Sequence, residues 1–387
     1  MDRRPTLETL PFRSWGLPSL TDRKIPLLIA GPCSAESREQ LMAAAEGIAA
    51  QGDTPVFRAG IWKPRTRPGQ FEGAGHVALE WLKEVKEHTG LLVMTEVATR
   101  EHVEACLKAG VDMLWIGART TPNPFSVQEI ADALKGVDIP VFVKNPINPD
   151  LQLWIGALER LQRAGLRRLA AIHRGFSWFE RTPYRNSPMW EFPIRLKAAY
   201  PHVELICDPS HIAGKREALG GVAQQALDIG FNGLMLEVHP DPANACSDAD
   251  QQIDPAHYSR LIGSLIFRKA KASAPLNDRL QELRDLIDQL DEEIAQKLGT
   301  RMDIAERIGD HKREHHVAIL QPERWKSIML RQLRLAEELG LSREFVQEFM
   351  DAVHRESIRR QSLENGTLAG SEASGSPASP LNGIRKE

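Results

Sequence analysis

Between Pro26 and about Ala272 a short apolar run recurs roughly every thirty residues, and the intervals between runs carry helical character. Such alternation confines the chain to parallel strands joined by helices, because a parallel neighbour is reached only through a crossover connection. Eight runs are present: Leu27 to Ala30, Pro55 to Ala59, Leu91 to Thr95, Met113 to Ile116, Val141 to Val143, Arg168 to Ile172, Val203 to Cys207 and Leu234 to Val238. Helix-like stretches lie between them, among them Ser37 to Ala50, Ala74 to His88, Arg100 to Ala109, Ser126 to Leu134, Leu151 to Ala164 and Gly214 to Ile229. Two architectures share this pattern, the closed eightfold barrel and the doubly wound open sheet.

The polar residues behind the runs decide between the two. Cys33 follows the first run, Arg58 with Lys63 and Arg65 the second, and Glu96, Arg119 and Lys144 the next three. His173 with Arg174, Asp208 with His211, and Glu237 with His239 follow the last three. An open sheet gathers ligands at one or two crevices, whereas a barrel brings every strand end to one mouth. The sequence therefore predicts a (β/α)8 barrel of the α/β class over residues 26–272, behind an N-terminal extension, 1–25.

After Ala274-Pro275 the strand signal stops. Leu276, Leu280, Leu283, Ile287, Leu290, Ile294 and Leu298 recur at intervals of three and four, the stripe of one long helix reaching about Lys312. Two more helices are predicted, Pro322 to Leu339 and Ser342 to Gln361, divided by Gly340 with Ser342 as N-cap. Residues 273–363 thus form a small all-helical domain. From 364 to 387 Gly, Ser, Ala and Pro dominate without period, and disorder is expected.

A net charge of -3 gives no electrostatic footprint for nucleic acid, so the expected partners are small molecules. No segment has the length of a membrane span, and the N-terminus lacks a continuous apolar stretch. Four cysteines in 387 residues are no disulfide framework, which suits a reduced, cytoplasmic protein.

The stretch Arg58 to Thr66 puts Arg58, Lys63, Arg65 and a hydroxyl on one loop, and Arg119, Lys144 and Arg174 add cations at other strand ends. That concentration, in a slightly acidic chain, points to substrates with several negative groups, phosphates above all. Cys33, His211, Glu237 and Asp248 offer one thiol, one imidazole and two carboxylates, a donor set for a borderline divalent ion. Cys246, two residues before Asp248, is an alternative thiol. The set accepts manganese, iron, cobalt or zinc, and no organic cofactor is expected. A Schiff base on Lys144 is a second possible chemistry, but it leaves the metal set without a task.

Gly31-Pro32-Cys33-Ser34, Lys63-Pro64-Arg65-Thr66, Ile116-Gly117-Ala118-Arg119, Asp208-Pro209-Ser210-His211 and Glu237-Val238-His239-Pro240 occur in that order. Together they resemble the 3-deoxy-D-arabino-heptulosonate 7-phosphate (DAHP) synthases, of the compact type I class that is similar to the octulosonate 8-phosphate synthases. The resemblance implies condensation of phosphoenolpyruvate with erythrose 4-phosphate. It implies that Cys33, His211, Glu237 and Asp248 hold the metal, and that Arg58, Lys63, Arg119, Lys144 and Arg174 bind phosphoenolpyruvate. Arg65 and Thr66 would take the sugar phosphate, with Glu96, His173 and Asp208 completing the substrate set and Lys63 acting in catalysis. The Lys63-Pro64-Arg65-Thr66 pattern favours the heptulosonate over the octulosonate branch.

In the helical domain, Arg284 and Arg301 are 17 residues apart, about 26 Å of rise and roughly 100° of rotation on one helix. They reach one small ligand only if the long helix pairs antiparallel with a second copy, which would also bury its leucine stripe. Arg301 and Lys312 differ by only about 20° and share a face. With Arg324, Ser357 and Gln361 this pattern resembles the all-helical chorismate mutases, which form intertwined dimers. The resemblance implies that Arg284, Arg301, Arg324 and Ser357 bind chorismate and that Lys312 and Gln361 donate to its ether oxygen, Arg301 sharing in catalysis. Trp325 stands where many such mutases carry glutamate. A fused early and late step suggests prephenate as an effector. The alternatives are a helical unit that only dimerises and senses effectors, and a phosphosugar-binding scaffold without catalysis.

Overall fold

The computed structural model describes residues 7–21, 25–63, 69–179, 182–268 and 274–362. Arg65, Thr66 and the whole of the tail from 364 to 387 lie outside the described residues.

The eight strands are β1 (Leu27–Gly31), β2 (Val56–Arg58), β3 (Leu92–Val97), β4 (Met113–Ile116), β5 (Val141–Lys144), β6 (Leu169–His173), β7 (Glu204–Cys207) and β8 (Gly233–Glu237). They pair in parallel in sequence order and close through β8 against β1, from Leu27 opposite Gly233 to Gly31 opposite Glu237. The barrel is the architecture adopted, and the open sheet is excluded. Helices follow the strands outside, and side chains start several of them: Ser37 accepts from Gln40 N–H, Thr99 from His102 N–H and Asp150 from Leu153 N–H. A further helix, Glu191–Ala199, lies between β6 and β7.

Both faces of the strands are buried, which is why they read as continuous apolar runs instead of alternating ones. Leu27, Ile29, Val56, Met94, Met113, Trp115, Phe142, Ile172, Ile206 and Met235 pack inside the barrel. Leu28, Ala30, Phe57, Val93, Leu114, Val141 and Val143 pack outside against the helices. Strand side chains alternate, so counting by two from the inner set gives the residues at the mouth. They are Arg58, Glu96, Lys144, Arg174, Asp208 and Glu237, with Cys33 two beyond Gly31. At the opposite end Trp15 and Leu20 join the inner cluster, so the segment read as an extension belongs to the barrel unit.

The second compact unit starts at Lys271. Its helices are Ala274–Glu314, Pro322–Leu339 and Arg343–Ser362, the last begun by Ser342 Oγ accepting from Phe345 N–H. Leu333, Ala336, Val346 and Met350 form a small core with Trp325, Ile328 and Met329 against it. Leu283, Leu286, Ile287, Leu290 and Ile294 on the long helix are each more than half exposed. No described helix is long and apolar enough to cross a membrane.

Candidate active sites

At the barrel mouth, ligand atoms of Cys33, Glu237 and Asp248 all lie within 4.8 Å of one another. Cys33 Sγ donates to Asp248 Oδ2 at 3.2 Å, and Gln251 Nε2 donates to Glu237 Oε2 at 2.6 Å. His211 stands beside this trio, its Nε2 3.8 Å from Glu237 Oε1. Asp208, at the cap of the short helix Pro209–Ala213, accepts from His211 N–H. Its Oδ2 lies 2.8 Å from His211 Nδ1. Asp248 is held in a left-handed backbone conformation, φ 49°, which turns its carboxylate back toward the cluster.

The donor set fits a divalent cation. Glu237 Oε1 is buried with no hydrogen-bond donor on it. Burial, with Lys144 adding to it against the pull of Asp208, shifts His211 below the ordinary histidine range, in the direction of the neutral imidazole that ligation requires. Burial, with Glu237 and Asp248 nearby, pushes the Cys33 thiol up to about 12, a balance that a cation among these groups would invert. Cys246 is exposed and its N–H is bound to Glu36, so it stands outside the trio and the alternative thiol is not supported.

Cations ring this cluster. Lys63, Arg119, Lys144, Arg174 and Arg185 line one pocket with Glu96, His211 and Asp248. Burial works against the Lys63 ammonium, but Cys33, Glu96 and Glu237 together hold its pKa above the usual lysine value. Lys144 donates to Asp208 Oδ2 at 2.8 Å. Burial opposes the Asp208 carboxylate, yet His211 and Lys144 hold it well below the usual range. Glu96 accepts from Trp115 Nε1, and Gly117 leaves room for it: a Cβ there would lie 2.0 Å from Glu96 Oε1.

Three expected site residues stand elsewhere. Arg58 is wholly buried below the pocket, donating to Cys33 O, 3.4 Å from Glu237 Oε1 and 4.8 Å above the Trp115 ring. It lies beneath the ligand residues and is not among the described residues that line the pocket. His173 has the opposite strand parity from Ile172 and points outward, among Trp154, Phe176, Trp190 and Phe231. Its Nε2 is 2.6 Å from Pro188 O, which ties down the loop that carries Arg185 and Asn186. Arg284 lies exposed on the long helix, apart from the pocket described next.

The sequence reading missed Arg185, which bonds both Asp248 and Gln251, and Asn186, which accepts from Arg174. It also missed Trp115 as a floor beneath Arg58 and Lys144.

The helical unit holds a pocket of about 310 Å³ whose walls include Arg301, Lys312, Arg324, Trp325, His354, Ser357 and Gln361. Arg301 bonds Ser357, and Lys312 donates to Gln361 Oε1 at 3.3 Å and to Ile319 O at 2.7 Å. Trp325 stacks on His354 with ring centroids 3.9 Å apart and planes 11° off parallel. Two parts of the long helix therefore differ: the far end lines a pocket, and the near end presents Arg284 and an uncovered apolar stripe.

Comparison with known proteins assigns each of the two units a family match. Residues 21–265 match the model of the DAHP synthetase I family, and residues 283–362 match chorismate mutase type II. A phospho-2-dehydro-3-deoxyheptonate aldolase of Thermotoga maritima is 31% identical over 235 residues, 61% of this chain and 67% of the relative. A 2-dehydro-3-deoxyphosphooctonate aldolase of Variovorax paradoxus is 29% identical, over 66% of this chain and 94% of the relative. Among solved structures, the Thermotoga maritima DAHP synthase superposes with a TM-score of 0.57 at 27% identity, covering 72% of this chain and 73% of that one.

Proposed function

We propose the following division of labour from one premise: the chain belongs to the DAHP synthetase I family through its barrel and carries a chorismate mutase type II domain behind it. It is a bifunctional enzyme of aromatic amino acid biosynthesis, with DAHP synthase in the barrel and chorismate mutase in the helices. The observation that carries the barrel assignment is the meeting of Cys33, Glu237, Asp248 and His211 beside five pocket cations.

In the barrel, Cys33, His211, Glu237 and Asp248 hold a divalent metal, one of manganese, iron, cobalt or zinc. The chemistry that a bound ion supplies here is Lewis acidity toward the aldehyde oxygen of erythrose 4-phosphate. Lys144, Arg174, Arg119 and Arg185 hold the carboxylate and phosphate of phosphoenolpyruvate, so that its C3 faces the aldehyde carbon in near-attack geometry. As that bond forms, Lys63, kept charged by its anionic neighbours, gives a proton to the aldehyde oxygen. Water adds at C2 of the former phosphoenolpyruvate, one of its protons restoring the Lys63 ammonium, and phosphate departs with the other as the C2 ketone forms, its charge met by the same arginines. Asp208 fixes His211 and Lys144, and Arg58 steadies Glu237. Arg65 and Thr66 take the sugar phosphate.

In the helices, Arg301, Arg324 and Ser357 grip chorismate, and Lys312 with Gln361 faces the ether oxygen whose bond breaks. Stabilising charge there needs no nucleophile. Arg284 enters from a second copy, and the homodimer covers the exposed leucine stripe. Prephenate bound at this site alters the synthase, and the four free cysteines suit a cytoplasmic enzyme. One preparation tests the whole: DAHP formation and chorismate loss are measured before and after chelation, then with each metal restored. DAHP formation should vanish and return while chorismate turnover is untouched. Synthase that survives complete metal removal refutes the barrel mechanism, and synthase unmoved by prephenate refutes the feedback.

A further inference from the structure

Chorismate presents two carboxylates, an ether oxygen and one ring hydroxyl. Arg301, Lys312 and Arg324 only donate hydrogen bonds, so they satisfy the carboxylates and the ether but cannot accept the proton of the hydroxyl. The neutral groups of the pocket are mostly engaged. Ser357 Oγ accepts from Arg301 and donates to Val353 O, and Gln361 Oε1 accepts from Lys312. Among the described side chains lining the pocket, His354 and Gln321 remain as uncharged groups with acceptor capacity and no hydrogen bond to the protein.

Geometry separates these two. Gln321 is exposed at the rim, one residue before the second helix, and its amide has several torsions to fix. His354 is half-buried, and the Trp325 ring lies flat against it at 3.9 Å. A ring already immobilised loses little freedom when a ligand bonds to it.

We propose that His354, held by Trp325, recognises the ring hydroxyl of chorismate and is thereby a specificity-determining residue of the mutase reaction. The inference rests on the mutase reading of this pocket. It also accounts for Trp325: an aromatic ring on the second helix supplies the flat surface that sets the imidazole on the third. Burial, reinforced by the charge of Arg301 against that of Asp351, keeps His354 below the ordinary histidine range. The neutral ring has one nitrogen to accept and one to donate, which matches a hydroxyl.

The test compares chorismate with the analogue lacking the ring hydroxyl, using the full-length protein and its variants H354L, H354Q and Q321A. Wild type should prefer chorismate by about tenfold in kcat/KM, the size of one well-formed hydrogen bond. H354L should reduce that preference to within about twofold, by losing activity on chorismate and keeping it on the analogue, which also reports that the domain is folded. H354Q, a neutral donor and acceptor, should retain most of the preference, and Q321A should leave it unchanged. A preference that survives in H354L, or that vanishes in Q321A, overturns the assignment. If wild type turns over neither compound, the mutase reading fails by itself. The same comparison of dissociation constants by calorimetry then decides the hydroxyl contact separately.

Discussion

Gly309 sits in the long helix against Gln361 of the third helix. A Cβ built there would lie 2.7 Å from the Cα of Gln361 and 2.9 Å from its carbonyl oxygen. Gly309→Ala sets two effects against each other. In an open helix the change stabilises by about 0.8 to 1 kcal/mol, because alanine surrenders less backbone entropy. Here the neighbour is backbone, which cannot rotate aside, and contact falls about 0.7 Å short of ordinary van der Waals distance. Overpacking of this kind costs about 1 to 3 kcal/mol, so the net sign is destabilising. The third helix must recede, carrying Gln361 away from Lys312, whose 3.3 Å bond has no slack to absorb the shift. Misplacement of a catalytic donor by up to about 1 Å lowers rate by as much as roughly a hundredfold. The assay is chorismate turnover and DAHP formation on one sample, with thermal melting. The account predicts a mutase loss of about ten- to a hundredfold, an unchanged synthase and an earlier helical melting transition. Mutase activity within about twofold of wild type, or a later transition, would refute the reasoning.

Two more predictions follow. In the folded barrel, burial holds His173 down to about 3, whereas the unfolded chain takes up the proton near 6.5. Stability is therefore whole above that value and is lost as pH falls, by up to about 1.4 kcal/mol per unit from this residue. Urea denaturation between about pH 6.5 and 5 should show a shallower slope in His173→Gln, and equal slopes would dispose of the claim. Arg284→Ala and Arg301→Ala should each abolish chorismate turnover alone. Coexpressed, they should recover about one quarter of wild-type sites, because half the dimers are mixed and each mixed dimer regains one site. A mixture as dead as its parents contradicts the shared site.

The barrel was legible because strands buried on both faces leave unbroken apolar runs, and because each run ends in polar residues. Side-chain parity sorts those residues more finely than adjacency does. His173 and Arg174 look equivalent in sequence, yet only Arg174 continues the inward series through Ala170 and Ile172. Arg58 reads as a loop cation, and its burial follows from Trp115 and Glu237, which are distant in the chain. Arg185 and Asn186 lie in a stretch after β6 without periodicity, so nothing local announced them. In the helical domain, Arg301 and Lys312 could be paired from helical rotation alone. The stack of Trp325 on His354 joins two helices and had no local signature.

The central claim is that the thiol, the imidazole and the two carboxylates at the barrel mouth bind one ion together. Cobalt(II) titrated into the metal-free full-length protein tests it most directly, because a thiolate on cobalt gives a near-ultraviolet charge-transfer band. The account predicts one equivalent of cobalt bound with that band present, lost in Cys33→Ser and retained in a Cys246→Ser variant. Binding without the band in the unaltered protein, or a band that survives in Cys33→Ser, would contradict it.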